Sequence, residues 1–275
     1  MLIARAALHF WEEPPLSGES GSGAVFFTNC PLRCAYCQNS PLATGQVGWE
    51  TGVPRLADIC CELQAQGALN VNFVTPTHYS LGIQEAVKQA RKQGLHLPIV
   101  WNTSGYERVE VIEALADTVN VYLADFKYAD AELAQRYSHA PDYPAVALAA
   151  IDKMVEAVGE PRYDDYRGQR RMVGGVIVRH LLLPGAVENS LRAVETLVRR
   201  FGDSVEYSLM NQYTPVLPAK ARLHYPELDA SVSTADYETV LDHADSLGLE
   251  DYFWQDGPAD KESFIPRWTG EGVIS

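Results

Sequence analysis

From Ser22 onward the chain alternates short, almost continuously apolar runs with longer amphipathic stretches. The runs are AVFFTN (24–29), NVNFVTP (70–76), LPIVWNT (97–103), NVYLADFK (120–127), GVIVRHLLL (175–183) and SVEYSLMNQ (204–212). A strand that is apolar throughout needs cover on both faces, which is the condition of a parallel sheet wrapped by helices. The intervening stretches carry helical periodicity, and several stop at Gly67, Gly94, Gly159, Gly202 or Gly248, where a helix end favours positive φ. Ser233 or Thr234 is predicted to cap the last helix. Six strand–helix units, two short of a closed barrel, predict an α/β fold: a partial (β/α)6 TIM-like barrel whose parallel sheet is open on one side. The expected organisation is one domain, with an N-terminal extension over 1–23, the barrel over 24–255 and a tail over 256–275. That tail reads either as a cover for one end of the barrel or as a mobile segment. The polar segment 159–172, GEPRYDDYRGQRRM, reads as an exposed loop.

Composition narrows the function. With 47% hydrophobic and 21% charged residues the chain has an ordinary globular balance, which excludes disorder and coiled coil. Lys and Arg number 22 against 36 Asp and Glu, a net charge of −14 that repels phosphate backbones. No nucleic-acid partner is expected, although 162–171 is locally basic. No apolar run approaches the ~18–20 residues of a membrane span. The start, MLIARAALHFWEEPP, meets acidic and aromatic residues too soon for a secretory leader. A cytoplasmic protein without membrane contact is expected.

Five cysteines are an odd number and too few for a disulfide scaffold in 275 residues. Cys30, Cys34 and Cys37 stand in TNCPLRCAYCQN with the spacing C-x3-C-x2-C, on a loop directly after the first predicted strand. Three thiolates on such a loop can hold three irons of a cubane, one fewer than the usual four, and so leave one iron open to a non-protein ligand. Zinc is the alternative, lacking a fourth ligand here, and chance clustering of buried thiols is a third reading. Cys60 and Cys61 fall on the first predicted helix, where adjacent positions diverge by about 100°. They read as structural thiols.

The cysteine loop resembles the signature of the radical S-adenosylmethionine (SAM) superfamily. HFWEEP, NFVTPTHYS, WNTSGYE, LADFKYAD, VRHLLLPG and LMNQYTP are similar to the pyruvate formate-lyase-activating-enzyme-like branch, in an activase-like subgroup of undefined substrate. The resemblance implies a [4Fe–4S] cluster whose open iron chelates the amine and carboxylate of SAM. One electron then cleaves a C–S bond, and the resulting 5′-deoxyadenosyl radical abstracts a hydrogen atom.

The resemblance also implies residue roles. Tyr36 would contact the adenine, or pack against the cluster. The family's Gly-Gly-Glu contact to the SAM amino group is replaced by Thr75, Pro76, Thr77 and His78, so Thr75 and Thr77 become its stand-ins, with His78 a substrate contact or a core histidine. Asn102 matches a polar SAM contact. Asp125 and Lys127 match an Asp-x-Lys pair at the end of the fourth strand. Arg179 would pair with the SAM carboxylate or bridge to Asp125, while alternation sends its neighbour His180 to the opposite face. Gln212 and Tyr213 end the sixth strand, where the activases carry a His, and Gly21 and Gly23 approach the first strand. His78, Tyr79, His180 and Tyr213 are candidate substrate contacts.

Three functions compete at this stage. One is an activase that abstracts hydrogen from a glycine of a glycyl-radical protein, with a flavodoxin- or ferredoxin-type electron donor. Another is a radical SAM enzyme acting on a small metabolite or another macromolecule. The last is a non-enzymatic iron–sulfur carrier or zinc-stabilised barrel, which three cysteines serve poorly. Too few cysteines remain for auxiliary clusters.

Overall fold

The computed structural model describes residues 1–217, 219–255 and 266–274. In chain order the elements are β1 (Leu2–His9), α1 (Pro14–Ser17), β2 (Ser22–Phe27), α2 (Ser40–Ala43), β3 (Trp49–Glu50), α3 (Val53–Ala65), β4 (Val71–Val74) and α4 (Ser80–Lys92). They continue with β5 (Ile99–Thr103), α5 (Val109–Ala114), β6 (Val121–Asp125), α6 (Ala131–Ser138), α7 (Tyr143–Val158), β7 (Arg162–Tyr166) and β8 (Gln169–Leu181). The last are α8 (Val187–Phe201), β9 (Glu206–Met210), α9 (Ala219–His224) and α10 (Thr234–Ser246). Strands β2, β4, β5, β6, β8 and β9 pair in that order and in parallel, each followed by helix. This is the mainly parallel, open α/β barrel expected. Among the described residues no helix is long and apolar enough to cross a membrane.

Strand and helix faces explain the packing. Every residue of β2 and β5 is buried, because helices cover one face and the barrel interior the other. On α8 the buried residues Asn189, Ser190, Ala193, Val194, Leu197 and Phe201 recur at helical spacing and face the sheet. Inward-pointing Val100, Val121, Leu123 and Ile177 join Leu16 and Met172 in a dry floor inside the barrel. Each such side chain contributes about 1.5–3 kcal/mol by leaving water. The predicted helix stops hold: Gly67, Gly94, Gly159, Gly202 and Gly248 all have positive φ. Ser233 caps α10, its hydroxyl accepting from the Asp236 amide at 3.0 Å.

Two elements differ from expectation. Residues 2–9 form an antiparallel strand along β2, where the apolar run read only as a stretch ahead of the first strand. The segment 159–172 is not an open loop: its centre is the hairpin of β7 with the start of β8. Arg167 and Gly168 both have positive φ, as a tight two-residue hairpin turn requires. The guanidinium of Arg170 lies 4.1 Å from the Tyr163 ring centre, and that of Arg171 3.8 Å from Tyr166. Arg171 is buried, paired with Asp164 and donating to the Leu69 carbonyl. The charge of Arg171 is here neutralised and the guanidiniums of Arg170 and Arg171 are stacked, which makes them compatible with pairing.

Near the carboxyl end, Gly270 donates to the Ala4 carbonyl and the Glu271 carbonyl accepts from Ala6, so 270–271 continue along the side of β1 that β3 covers only at Leu2 and Ile3. Phe253 bridges to Ser208 on the edge of β9. Residues 256–265 and Ser275 of the predicted tail lie outside the described residues.

Candidate active site

The carboxyl ends of the parallel strands surround a cavity of about 650 Å³. Parallel register sets its chemistry. Asp125 on β6 stands opposite Arg179 on β8, which stands opposite Ser208 on β9, forming one polar rung across three strands. Alternation along β8 sends the two neighbours to opposite faces, as expected, and it is Arg179 that turns into the cavity and His180 that turns outward.

The cysteine loop leaves β2 and reverses through Asn29 and Arg33, both in the left-handed region. The Ala35 amide donates to the Tyr137 carbonyl at 2.7 Å, and Cys37 closes a turn onto the Cys34 carbonyl. Gln38 Nε2 donates to the Gln212 carbonyl at 2.7 Å, tying the loop to the chain beyond β9. His78 Nε2 donates to the Thr28 carbonyl at 2.6 Å and braces the start of the loop.

Cys30, Cys34 and Cys37 carry free thiols that line the cavity together. Burial pushes the Cys34 thiol up and the Cys37 thiol to about 12, so they stay protonated unless a metal draws off the protons. Three thiols on one loop, all lining one cavity, fit a polynuclear iron–sulfur cluster in which each would hold its own iron.

Facing the thiols is a buried network of charge. Asp125 accepts from Arg179 Nε at 2.9 Å and from Lys127 Nζ at 2.6 Å. Burial works to raise the Asp125 carboxyl, but Arg179 and Lys127 outweigh it and hold it below the ordinary range. Burial likewise opposes the charge on Lys127, and Asp125 outweighs it. Arg179 Nη2 donates to Asn102 Oδ1 at 2.7 Å, and Nη1 lies 3.4 Å from Glu12 Oε2. Asn72 Nδ2 donates to Glu12 Oε1 at 3.0 Å.

Glu12 and Glu13 were not singled out from the sequence. The segment bearing them enters the barrel interior, with Leu16 beneath it in the dry floor and the Ser17 hydroxyl donating to the Glu12 carbonyl at 2.8 Å. Burial raises both carboxyls, and Arg179 opposes the rise. The available signal was two adjacent glutamates between an aromatic pair and two prolines, just ahead of the barrel.

The other expected residues divide into two groups. Thr75, Asn102 and Tyr213 line the cavity, Thr75 in the left-handed region at φ 57°. Tyr36 also lines it, its ring edge-on to Tyr128, Tyr137 and Tyr213 and its hydroxyl accepting from Tyr128 at 3.0 Å. Thr77 lies outside the lining, donating to Glu107 at 2.9 Å and accepting from Trp101 Nε1. Tyr79 packs against Phe27 and His78. His180 faces α8, with Nδ1 donating to the Phe126 carbonyl and Nε2 accepting from Ser190.

A family model described as the radical SAM superfamily matches residues 24–166, just over half of the chain. An uncharacterized protein of Methanocaldococcus jannaschii is 26% identical over 256 residues, covering 88% of this chain and 67% of that protein. Among solved structures, a radical SAM methyltransferase from Sphaerobacter thermophilus aligns with 85% of this chain and 67% of its own, at TM-score 0.56 and 14% identity. Streptococcus suis SuiB, solved bound to S-adenosylmethionine, aligns with 85% of this chain and 48% of its own, at TM-score 0.53 and 14% identity. At such identities the two structural likenesses concern the fold. The chain spans about half of SuiB and about two thirds of the other two proteins.

Proposed function

The chain belongs to the radical SAM superfamily, and from that premise we propose that it abstracts a hydrogen atom from a compact substrate held inside its own barrel. Members of the superfamily are enzymes that hold a [4Fe–4S] cluster and SAM and require an electron donor. When bound, these cofactors supply the reductive cleavage that yields a 5′-deoxyadenosyl radical. In this reading Cys30, Cys34 and Cys37 hold the cluster. Thr75, Asn102, Asp125, Lys127 and Arg179 form the polar wall against which SAM is oriented. Tyr36 supports the adenine end. The Asp125-x-Lys127 pair at the end of β6 supports membership of the activating-enzyme-like branch. A one-electron protein of flavodoxin or ferredoxin type is the proposed donor.

The observation that carries the compact-substrate reading is the segment through Glu12 and Glu13. Both carboxyls lie beneath the strand ends, and a cavity of about 650 Å³ must also accommodate SAM. That volume is within the usual ~300–1,000 Å³ of a small-molecule site and leaves little room for a folded peptide loop. Walls that exclude water protect a primary carbon radical from side reactions. A second reading, an activase acting on a glycyl-radical protein, is favoured by the exposed aromatic rim of Phe10, Trp11 and Trp254 at the cavity mouth. Exposed aromatic side chains at a mouth suit protein docking.

Anaerobic reconstitution followed by reduction in the presence of SAM tests the assignment of ligands. Formation of 5′-deoxyadenosine is expected, together with its loss and the loss of cluster absorbance in Cys30→Ala, Cys34→Ala and Cys37→Ala. Cys61→Ser should keep both. Iron retained by any of the three alanine variants at the level of the unaltered protein would remove that cysteine from the ligand set. Deuterium transfer from a labelled small molecule into 5′-deoxyadenosine would favour the first reading. A glycine-centred EPR doublet on a partner protein, without such transfer, would replace it with the second.

A further inference from the structure

Inside the cavity the carboxyls outnumber the buried cations. Among the described residues, Glu12, Glu13 and Asp125 face Lys127 and Arg179, and both of those are engaged by Asp125. Arg33, a third cation of the lining, is exposed on the cysteine loop. His9 also lines the cavity, but burial, with Arg5 and Arg179, holds it down at about 4, so it brings no charge near neutrality. Glu12 is well partnered by Asn72, Asn102 and Arg179. Glu13 is not. It is 7% exposed, and its Oε2 is a buried acceptor without a hydrogen-bond partner among the described residues. The Oδ1 of Asn72, whose amide nitrogen binds Glu12, is a second such acceptor.

A buried acceptor left unmade costs about 1–3 kcal/mol, and an unpaired buried carboxylate costs more. Glu13 Oε2 belongs to the cavity lining, whereas Asn72 does not, so a ligand in the cavity would satisfy Glu13 with an N–H or O–H donor. The excess of carboxyls over cations favours a donor that carries positive charge.

We propose that Glu13 is the anchor for a cationic nitrogen of the substrate, which makes the substrate class a small amine or guanidine rather than an acid, a phosphate or a neutral sugar. Glu12 and Arg179 position Glu13 by filling the space beside it with paired charge. The anchor is carried by the segment ahead of the barrel and adjoins the rung of Asp125, Arg179 and Ser208, so cofactor and substrate take neighbouring but different carboxyls. This inference rests on the compact-substrate reading above.

The test uses the reconstituted, SAM-loaded, unreduced protein. Butylammonium, butylguanidinium, butyrate and butanol are titrated into it by calorimetry under anaerobic conditions. The two cations are expected to bind at least tenfold more tightly than butanol, and butyrate to give no binding. Glu13→Gln should lose at least tenfold in cation affinity while keeping its cluster absorbance, and Glu13→Asp, which preserves the charge, should retain the preference for cations. Equal binding of the neutral or anionic probe, or unaltered cation affinity in Glu13→Gln, overturns the proposal. So does displacement of SAM by the cations, which would assign Glu13 to the cofactor instead. Failure of the underlying reading shows separately, as deuterium transfer from no small molecule while SAM is still cleaved.

Discussion

Glu107 shows how one side chain links two loops of the site. It accepts from Thr103 and, at 2.9 Å, from Thr77, joining the loop after β5 to the loop after β4. Burial pushes its carboxyl from 4.5 up to about 6, against the pull of those two hydroxyls. The folded state therefore binds the proton more tightly than the unfolded chain between about pH 4.5 and 6. Stability falls as pH rises through that window, and the loss, on the order of 2 kcal/mol, is complete above it. Glu107→Gln keeps an acceptor for both threonines without the ionisation. The variant is expected to be more stable than the parent by about 1–2 kcal/mol at pH 7 and equal to it near pH 4.5, as urea unfolding across that range would reveal. Equal stability at pH 7 would mean that this carboxyl is not held near 6.

At the scale of elements, the site depends on how closely neighbouring strand ends approach. Gly105, at φ +76° in the loop after β5, sits against the end of β6, and a Cβ added there would meet the Asp125 carbonyl oxygen at 2.1 Å. Because the obstacle is backbone, Gly105→Ala must separate β5 from β6 or distort the turn. A loss of about 2 kcal/mol or more is expected, with weakened SAM binding because Asn102 and Asp125 move apart. Unfolding and SAM titration of the same variant measure both effects, and an alanine variant with unchanged SAM affinity would show that the strand-end spacing tolerates the shift. Elements also show how far the sequence could be read. Six strands and their helices were legible because burial on two faces leaves an unbroken apolar run. The hairpin of β7 and β8 was not, because its arginines become compatible with a sheet only through Tyr163, Tyr166 and Asp164.

For the whole molecule, acid stability is a sum over buried groups. His180 bridges the Phe126 carbonyl and Ser190, and burial pulls it down to about 4; His9 is also held at about 4. Each stays neutral in the fold while the unfolded chain takes up a proton near 6.5, so each removes on the order of 3 kcal/mol as pH falls from about 6.5 to 4. Glu107 works in the opposite direction by about 2 kcal/mol, and the raised carboxyls of Glu12 and Glu13 act in the same sense as Glu107. The two histidines outweigh Glu107, and their own part of the pH dependence is a loss of stability on acidification. His180→Gln should flatten that limb by roughly half if the two histidines act independently. Chemical unfolding between pH 7 and 4 measures this, with cluster absorbance followed separately. A limb unchanged in His180→Gln would place the acid sensitivity elsewhere.

The amino-acid sequence by itself determined the alternation of strand and helix, the cysteine loop after the first parallel strand, and the placing of Arg179 and His180 on opposite faces. All three are local: period, spacing and parity are carried by residues a few positions apart. Tertiary structure alone decided that Glu12 reaches Arg179, 167 residues away, that Glu107 joins two loops, and that the segment ahead of the barrel lines its cavity. Such meetings exist only once the sheet has curved and brought distant strand ends onto one rung, and no local pattern along the chain encodes which side chains that curvature makes neighbours.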